Sequence, residues 1–251
     1  MPRVADFRIA SCQATLFTPD AEVSTSNFLS RLLPRWLNRF DGEPAILPIP
    51  EGLPKDVPRV ILQSRSTNWR CEIASARVNI FWRAAAEGNE RLEPIFAELT
   101  PLLIEYFEFI DSRVGRLAAV INRYVRHPAP ARFLASHFCK ERWMAAPFNR
   151  PESFELHAHK VFPLAGRFQT NSWVRNKTAT VTMGAEERPA VLVEQDLNTL
   201  VEETATRAFS PDEIAGFFQA VARGFDETLT LYYPDDLAEQ EDRTLHAERA
   251  G

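Results

Sequence analysis

A chain of 251 residues that is 45% hydrophobic and 25% charged can bury a substantial core, which excludes a disordered protein. No run approaches the roughly 18 to 20 uninterrupted apolar residues of a membrane-spanning helix, and "MPRVADFRIA" lacks the layout of a signal peptide, so a cytoplasmic protein without membrane contact is expected. The net charge of −5 is unevenly spread: residues 113–183 carry 12 Lys+Arg against 3 Asp+Glu, whereas residues 184–251 carry 5 against 16. A basic surface is therefore compatible with the acidic total, unless the two blocks neutralise one another in the fold.

"DFRIASCQATLF" reads as a strand closed by the turn residues "TPD". In "STSNFLSRLLPRWLNRF", Phe28, Leu29, Leu32, Leu33, Trp36, Leu37 and Phe40 recur at helical spacing, with Pro34 imposing a kink or break. The proline-rich "DGEPAILPIPEGLPKDVP" holds no long element beyond a short edge strand at "AILPI". "RVILQS" is a strand, "RSTN" a turn, and "WRCEIAS" alternates Trp69, Cys71 and Ile73 against Arg70, Glu72 and Ala74, the two-residue period of a half-buried strand. "ARVNIFW" extends that strand or begins another. A helix bent near Pro101 follows in "NERLEPIFAELTPLLIEYFEFIDSR", and "GRLAAVINRYVRH" returns as a strand. The order matches a ferredoxin-like β-α-β-β-α-β unit over residues 1–127.

After "HPAPAR", a second half over residues 128–236 begins with the helical "ARFLASHFCKERWM". "ESFELHAHKVFPL", "GRFQTNSWVRN", "TATVTM" and "RPAVLVEQDLNTL" read as an antiparallel meander with turns at "LAG", "NK" and "GAEERP". Ser210 and Glu213 form a capping-box pattern around Pro211, starting a final helix whose apolar face holds Ile214, Phe217, Phe218, Val221 and Phe225. Residues 237–251 form a polar tail. The expected class is α+β, with two antiparallel-sheet halves covered by helices.

Catalytic signatures are absent: the sequence has no GxSxG, GxxxxGK[ST], HExxH or GxGxxG, and nine glycines provide poorly for a phosphate-cradling loop. Cys12, Cys71 and Cys139 lack CxxC spacing and read as buried free thiols. Cys139 and His137, two apart on a helix, diverge too far to form a dyad. His157 and His159 share one face of a strand with Glu155, but two imidazoles need further ligands to hold an ion, and the bland alternative is a pair of solvent-facing histidines. The sequence therefore leans away from an enzyme, with no catalytic residue, metal or cofactor expected. The basic middle carries Arg116, Arg123, Arg126, Arg132, Arg142, Arg167, Arg175 and Lys177 interspersed with aromatics including Trp143 and Trp173, and these are the candidate binding residues. Such a mixture suits phosphates and stacked bases, and it suits a protein partner with an acidic patch equally well.

"VPRVILQSRSTNWRCEIASARVNIFW", "RPAVLVEQDLNTLVEE" and "SPDEIAGFFQAVARGFDETLTLYYP" together resemble a sporadically distributed, uncharacterised family of bacterial proteins of about this length. The resemblance covers about half of the chain by pattern. Two positions depart from the family's pattern: Arg65 replaces an acidic residue, and the strand end is Glu194-Gln195-Asp196. Patchy occurrence implies mobile genes such as defence or toxin–antitoxin modules, and brings no catalytic residues. The combined expectation is a non-enzymatic accessory component that contacts another protein of the same bacterial system through a basic-aromatic face, or alternatively RNA or single-stranded DNA.

Overall fold

A computed structural model describes residues 3–48, 54–85, 88, 90–146, 148–183 and 186–234. The expected tail 237–251 lies outside the described residues.

Among the described residues, nine strands form one antiparallel sheet: β1 (Arg8–Phe17), β2 (Ala45–Ile46), β3 (Val60–Gln63), β4 (Trp69–Ile73), β5 (Arg77–Arg83), β6 (Arg116–Arg126), β7 (Glu155–Leu164), β8 (Phe168–Met183) and β9 (Glu186–Thr199). Their spatial order is β2-β3-β4-β5-β1-β6-β9-β8-β7. The chain is α+β, as its sequence indicates. Counting β1, β4, β5 and β6 as four strands, the order β6-β1-β5-β4 and the helix between β5 and β6 follow the ferredoxin-like arrangement, with β3 inserted ahead of β4. The two expected sheets are joined edge to edge, because β6 pairs with β1 on one side and β9 on the other. The sheet thus runs continuously across the 127/128 boundary.

The helical segment after β1 runs without a gap from Thr25 to Trp36, with a π turn just ahead of Pro34. α1 (Thr25–Asn27) passes into a π turn at Phe28–Leu32 and then α2 (Leu33–Trp36), which places Pro34 in a first turn where its missing N–H costs little. α3 (Leu92–Phe109) carries Pro101 inside it, and α4 (Pro130–Phe138) is separated from the short α5 (Glu141–Ala145) at Cys139–Lys140. α6 (Pro211–Tyr232) begins with the full capping box: Ser210 Oγ accepts from the Glu213 N–H at 3.3 Å, and Glu213 Oε2 accepts from the Ser210 N–H at 2.9 Å.

These helices bury one face of the sheet. Cys12, Ala14 and Leu16 of β1, Cys71 and Ile73 of β4, and Leu117, Ala119 and Ile121 of β6 share a core with Phe28 and Trp36, Phe96 and Leu103 of α3, and Phe217, Phe218 and Phe225 of α6. Phe96 stacks on both Phe218 (6.1 Å) and Phe225 (6.3 Å), so α3 from the first half and α6 from the second interlock over the sheet. A second cluster packs Leu134 of α4 and Tyr233 against Val174, Val191 and Val193.

One expected turn is absent. Asn176-Lys177 lies inside β8, which continues in register with β9 from Thr170 to Met183. Asn176 is fully buried, and its Oδ1 accepts the Tyr233 hydroxyl at 2.8 Å, so a tertiary contact holds extended a dipeptide that local preference would bend. The turn at 165–167 does form, with positive φ at Ala165 (49°) and Gly166 (69°).

Candidate functional site

Residues paired across neighbouring strands share a face of the sheet, so register alone maps the side opposite the helices. One row runs Gln63, Arg70, Phe81, Gln13, Val120, Asp196, Trp173, His159 from β3 to β7. Beside it runs Glu72, Asn79, Thr15, Ala118, Asn198, Asn171, Val161. On the other side lie Arg83, Ser11, Asn122, Glu194, Arg175, His157. A bulge between Ile9 and Ser11 keeps Ile9 in the core and turns Arg8 toward this face, opposite Tyr124. Among the described residues, neither buried apolar cluster includes a side chain of this face.

The face is polar and internally ordered. Thr15 Oγ1 donates to Asn79 Oδ1 at 2.9 Å, Gln13 Nε2 donates to Thr15 Oγ1 at 3.0 Å, and Asn122 Nδ2 donates to Ser11 Oγ at 3.1 Å. Arg116 Nη2 donates to Asn198 Oδ1 at 2.6 Å, and Asn198 Nδ2 donates to Asp196 Oδ1 at 2.8 Å. His159 Nε2 meets Asn171 Oδ1 at 3.1 Å, and its ring stacks on Trp173 with centroids 4.2 Å apart and planes 15° apart. Arg175 approaches the same indole and pairs with Glu194, which Lys177 also reaches at 3.7 Å.

Asp196 sits at the centre of this arrangement, between Val120 and Trp173. Burial pushes its carboxyl above the ordinary 3.8, partly offset by the Asn198 hydrogen bond and by the fields of Arg175 and Arg116. The same burial lowers the pKa of Arg116. Asp196, Asn198, Asn171, Trp173, Arg116 and Arg175 together form a surface that can exchange hydrogen bonds and stack against a ligand.

The fold disperses the basic block. Arg116, Arg126, Trp173, Arg175 and Lys177 fall on the open face by register. Arg123 does not: one residue out of phase, it is 3% exposed on the helix side and paired with Asp226 of α6. Arg132 lies on α4, Arg142 and Trp143 on α5, and Arg167 at the β7–β8 turn beside Gly216 of α6. Much of the expected positive field is matched inside the chain. The acidic final segment supplies Asp226 to Arg123 and Glu194 to Arg175 and Lys177, while Arg113 pairs with Asp20 at 2.7 Å and donates to the carbonyls of Thr204 and Arg207.

His157 and Glu155 share the open side as their spacing requires, 3.3 Å apart. Among the described residues, no group of three or more His, Cys, Asp or Glu is placed to hold a metal ion. His137 is held structurally: its ring stacks on Tyr233 at 5.0 Å and its Nε2 donates to the Tyr232 carbonyl at 2.7 Å. Asp196, Asn198, Asn171 and Gln13 were not among the sequence candidates. The available signal was polar alternation in "EQDLN", which reads equally well as ordinary strand-end charge.

No described helix is long and apolar enough to cross a membrane. No family model and no curated protein matches the chain.

Proposed function

We propose that the protein is a non-enzymatic binding component of a multi-protein bacterial system, such as a defence or toxin–antitoxin module, and that it holds its partner against the uncovered face of its sheet. One observation carries this reading: an extended sheet face that no described helix covers presents an ordered, half-buried polar network around Asp196 and Trp173. Antiparallel sheets with one solvated face are common, but their outer residues are usually free to move, whereas these are hydrogen-bonded to one another both across strands and along them. A partner would meet a preorganised surface and lose little side-chain entropy in the encounter. The mixture of signs supports a protein partner of mixed or acidic charge, since Glu72, Glu155, Glu194 and Asp196 share the face with its arginines.

Co-purification from the native host tests the reading. Trp173→Ala combined with Asn122→Arg should lose the partner, while Arg132→Ala with Arg142→Ala on the helix side should retain it.

A second reading, binding of RNA or single-stranded DNA, is favoured by Phe81, Tyr124 and Trp173 standing among arginines on an open antiparallel sheet. It requires affinity that falls steeply with salt. Absence of a gel shift at low salt would remove it.

A further inference from the structure

β7 is the terminal strand on one side of the sheet, and its outer edge points to a self-association surface. Thr178 N–H donates to the Phe154 carbonyl, and β7 runs in unbroken register with β8 from Glu155 to Leu164. Alternate residues of an antiparallel pair exchange these bonds, so the even-numbered residues of β7 are satisfied by β8. The odd-numbered ones, Glu155, His157, His159 and Val161, direct their N–H and C=O groups away from the sheet. All four are exposed, Val161 at 53%. Pro163 has no N–H and ends the free edge. The opposite end of the sheet, β2, has only two residues.

Among the described residues nothing pairs with this edge; an edge of this length is a template for another strand, and its charge selects which one. Carboxylates lead the segment (Glu152, Glu155) and a cation follows (Lys160), with His157 and His159 between them. A second copy turned end for end sets acid against base at both ends of the contact. A parallel copy would set like against like. A uniformly acidic or basic foreign strand would match only half.

We propose that β7 pairs with β7 of a second copy of this chain in antiparallel register about His157, extending the sheet across a two-fold axis. Glu155 then faces His159 of the second copy, and Leu156 faces Ala158, twice each. This closed, isologous contact joins the two sheets through β7 and leaves the two-residue β2 as the outer strand at each end. The contact is made by edge backbone groups, and the side chains of Glu155, His157 and His159 border the open face.

Sedimentation velocity on the full chain over a concentration series is the test, combined with hydrogen exchange. The expected result is a concentration-dependent shift from 28.6 kDa to twice that mass, with the outward amides of His157 and His159 protected only in the larger species. His157→Pro removes an outward N–H without touching a bond to β8, so it should abolish the dimer while leaving the circular dichroism spectrum unchanged. If that variant fails to fold, Glu155→Lys, at an exposed side chain, should weaken association by about tenfold, because it makes basic the end of the segment that lies against the Lys160 end of the second copy. A chain that stays at 28.6 kDa at every concentration overturns the proposal. So does a dimer indifferent to these substitutions, with the outward β7 amides exchanging freely.

Discussion

The pair Arg123–Asp226 should respond asymmetrically to removal of its two members. The Arg123 guanidinium is almost wholly buried under α6, bonded to Asp226 through Nη2, with no partner for its Nε among the described residues. The Asp226 side chain is 47% exposed. Asp226→Ala therefore strands a cation in the core, and the expected loss is about 3 kcal/mol, at the low end for a broken buried pair because water already screens the carboxylate. Arg123→Met removes the buried charge, keeps most of the volume and leaves Asp226 to hydrate, so its cost should stay within about 1 kcal/mol. Urea unfolding followed by circular dichroism, with slopes compared to detect changes in the denatured state, measures both. If Arg123→Met costs as much as Asp226→Ala, the pair stabilises the fold in a way that burial and desolvation do not describe. The Met variant should also keep its partner, since Arg123 lies on the side away from the open face.

Three further outcomes follow from particular contacts. Asp196→Asn should stabilise the protein at neutral pH: a carboxyl whose folded pKa is raised carries a penalty fully present above that raised value and gone below the ordinary 3.8, so the variant's advantage in urea should vanish in acid. Ser210→Ala should cost about 1 kcal/mol by unmaking the capping box. Because Ser210 hydrogen bonds depress the Glu213 pKa, the cap's contribution is present above the ordinary 4.5 and lost as pH falls through the lowered value; an unchanged acid melting profile in Glu213→Gln would refute this. Gly115→Ala should cost about 3 kcal/mol, because a Cβ there collides with the carbonyl oxygen of Thr204 at the junction where the loop after β9 meets the start of β6. A wild-type melting temperature in that variant would show that this junction yields.

Local structure was legible wherever local chemistry decides it. The alternation at Trp69, Cys71 and Ile73 names the buried face of β4, the capping box starts α6 at its first residue, and Pro34 sits directly after a π turn that departs from regular helix. Pairing was not legible, because β6 carries apolar residues that fit either neighbour, and nothing local in "RLAAVINRYVR" says that β9 lies beside it. Asn176-Lys177 looked like a turn because the Tyr233 hydroxyl that holds it straight lies 57 residues away. The site was half legible for the same reason. Charge and aromatic type singled out Arg116, Trp173, Arg175 and Lys177, which register puts on the open face, but strand phase sent Arg123 inward, and the residues that connect the surface are uncharged amides and an aspartate that a single strand read alone leaves unremarked.

The most direct measurement is differential capture with the full-length protein in its native host, comparing wild type, the open-face pair Trp173→Ala with Asn122→Arg, and the helix-side pair Arg132→Ala with Arg142→Ala, each first shown to melt as wild type does. Loss of the same co-purifying partner from the open-face variant alone is the expected result. Retention there, with loss from the helix-side variant, would place the contact on α4 and α5 and contradict the assignment of the binding surface to the sheet.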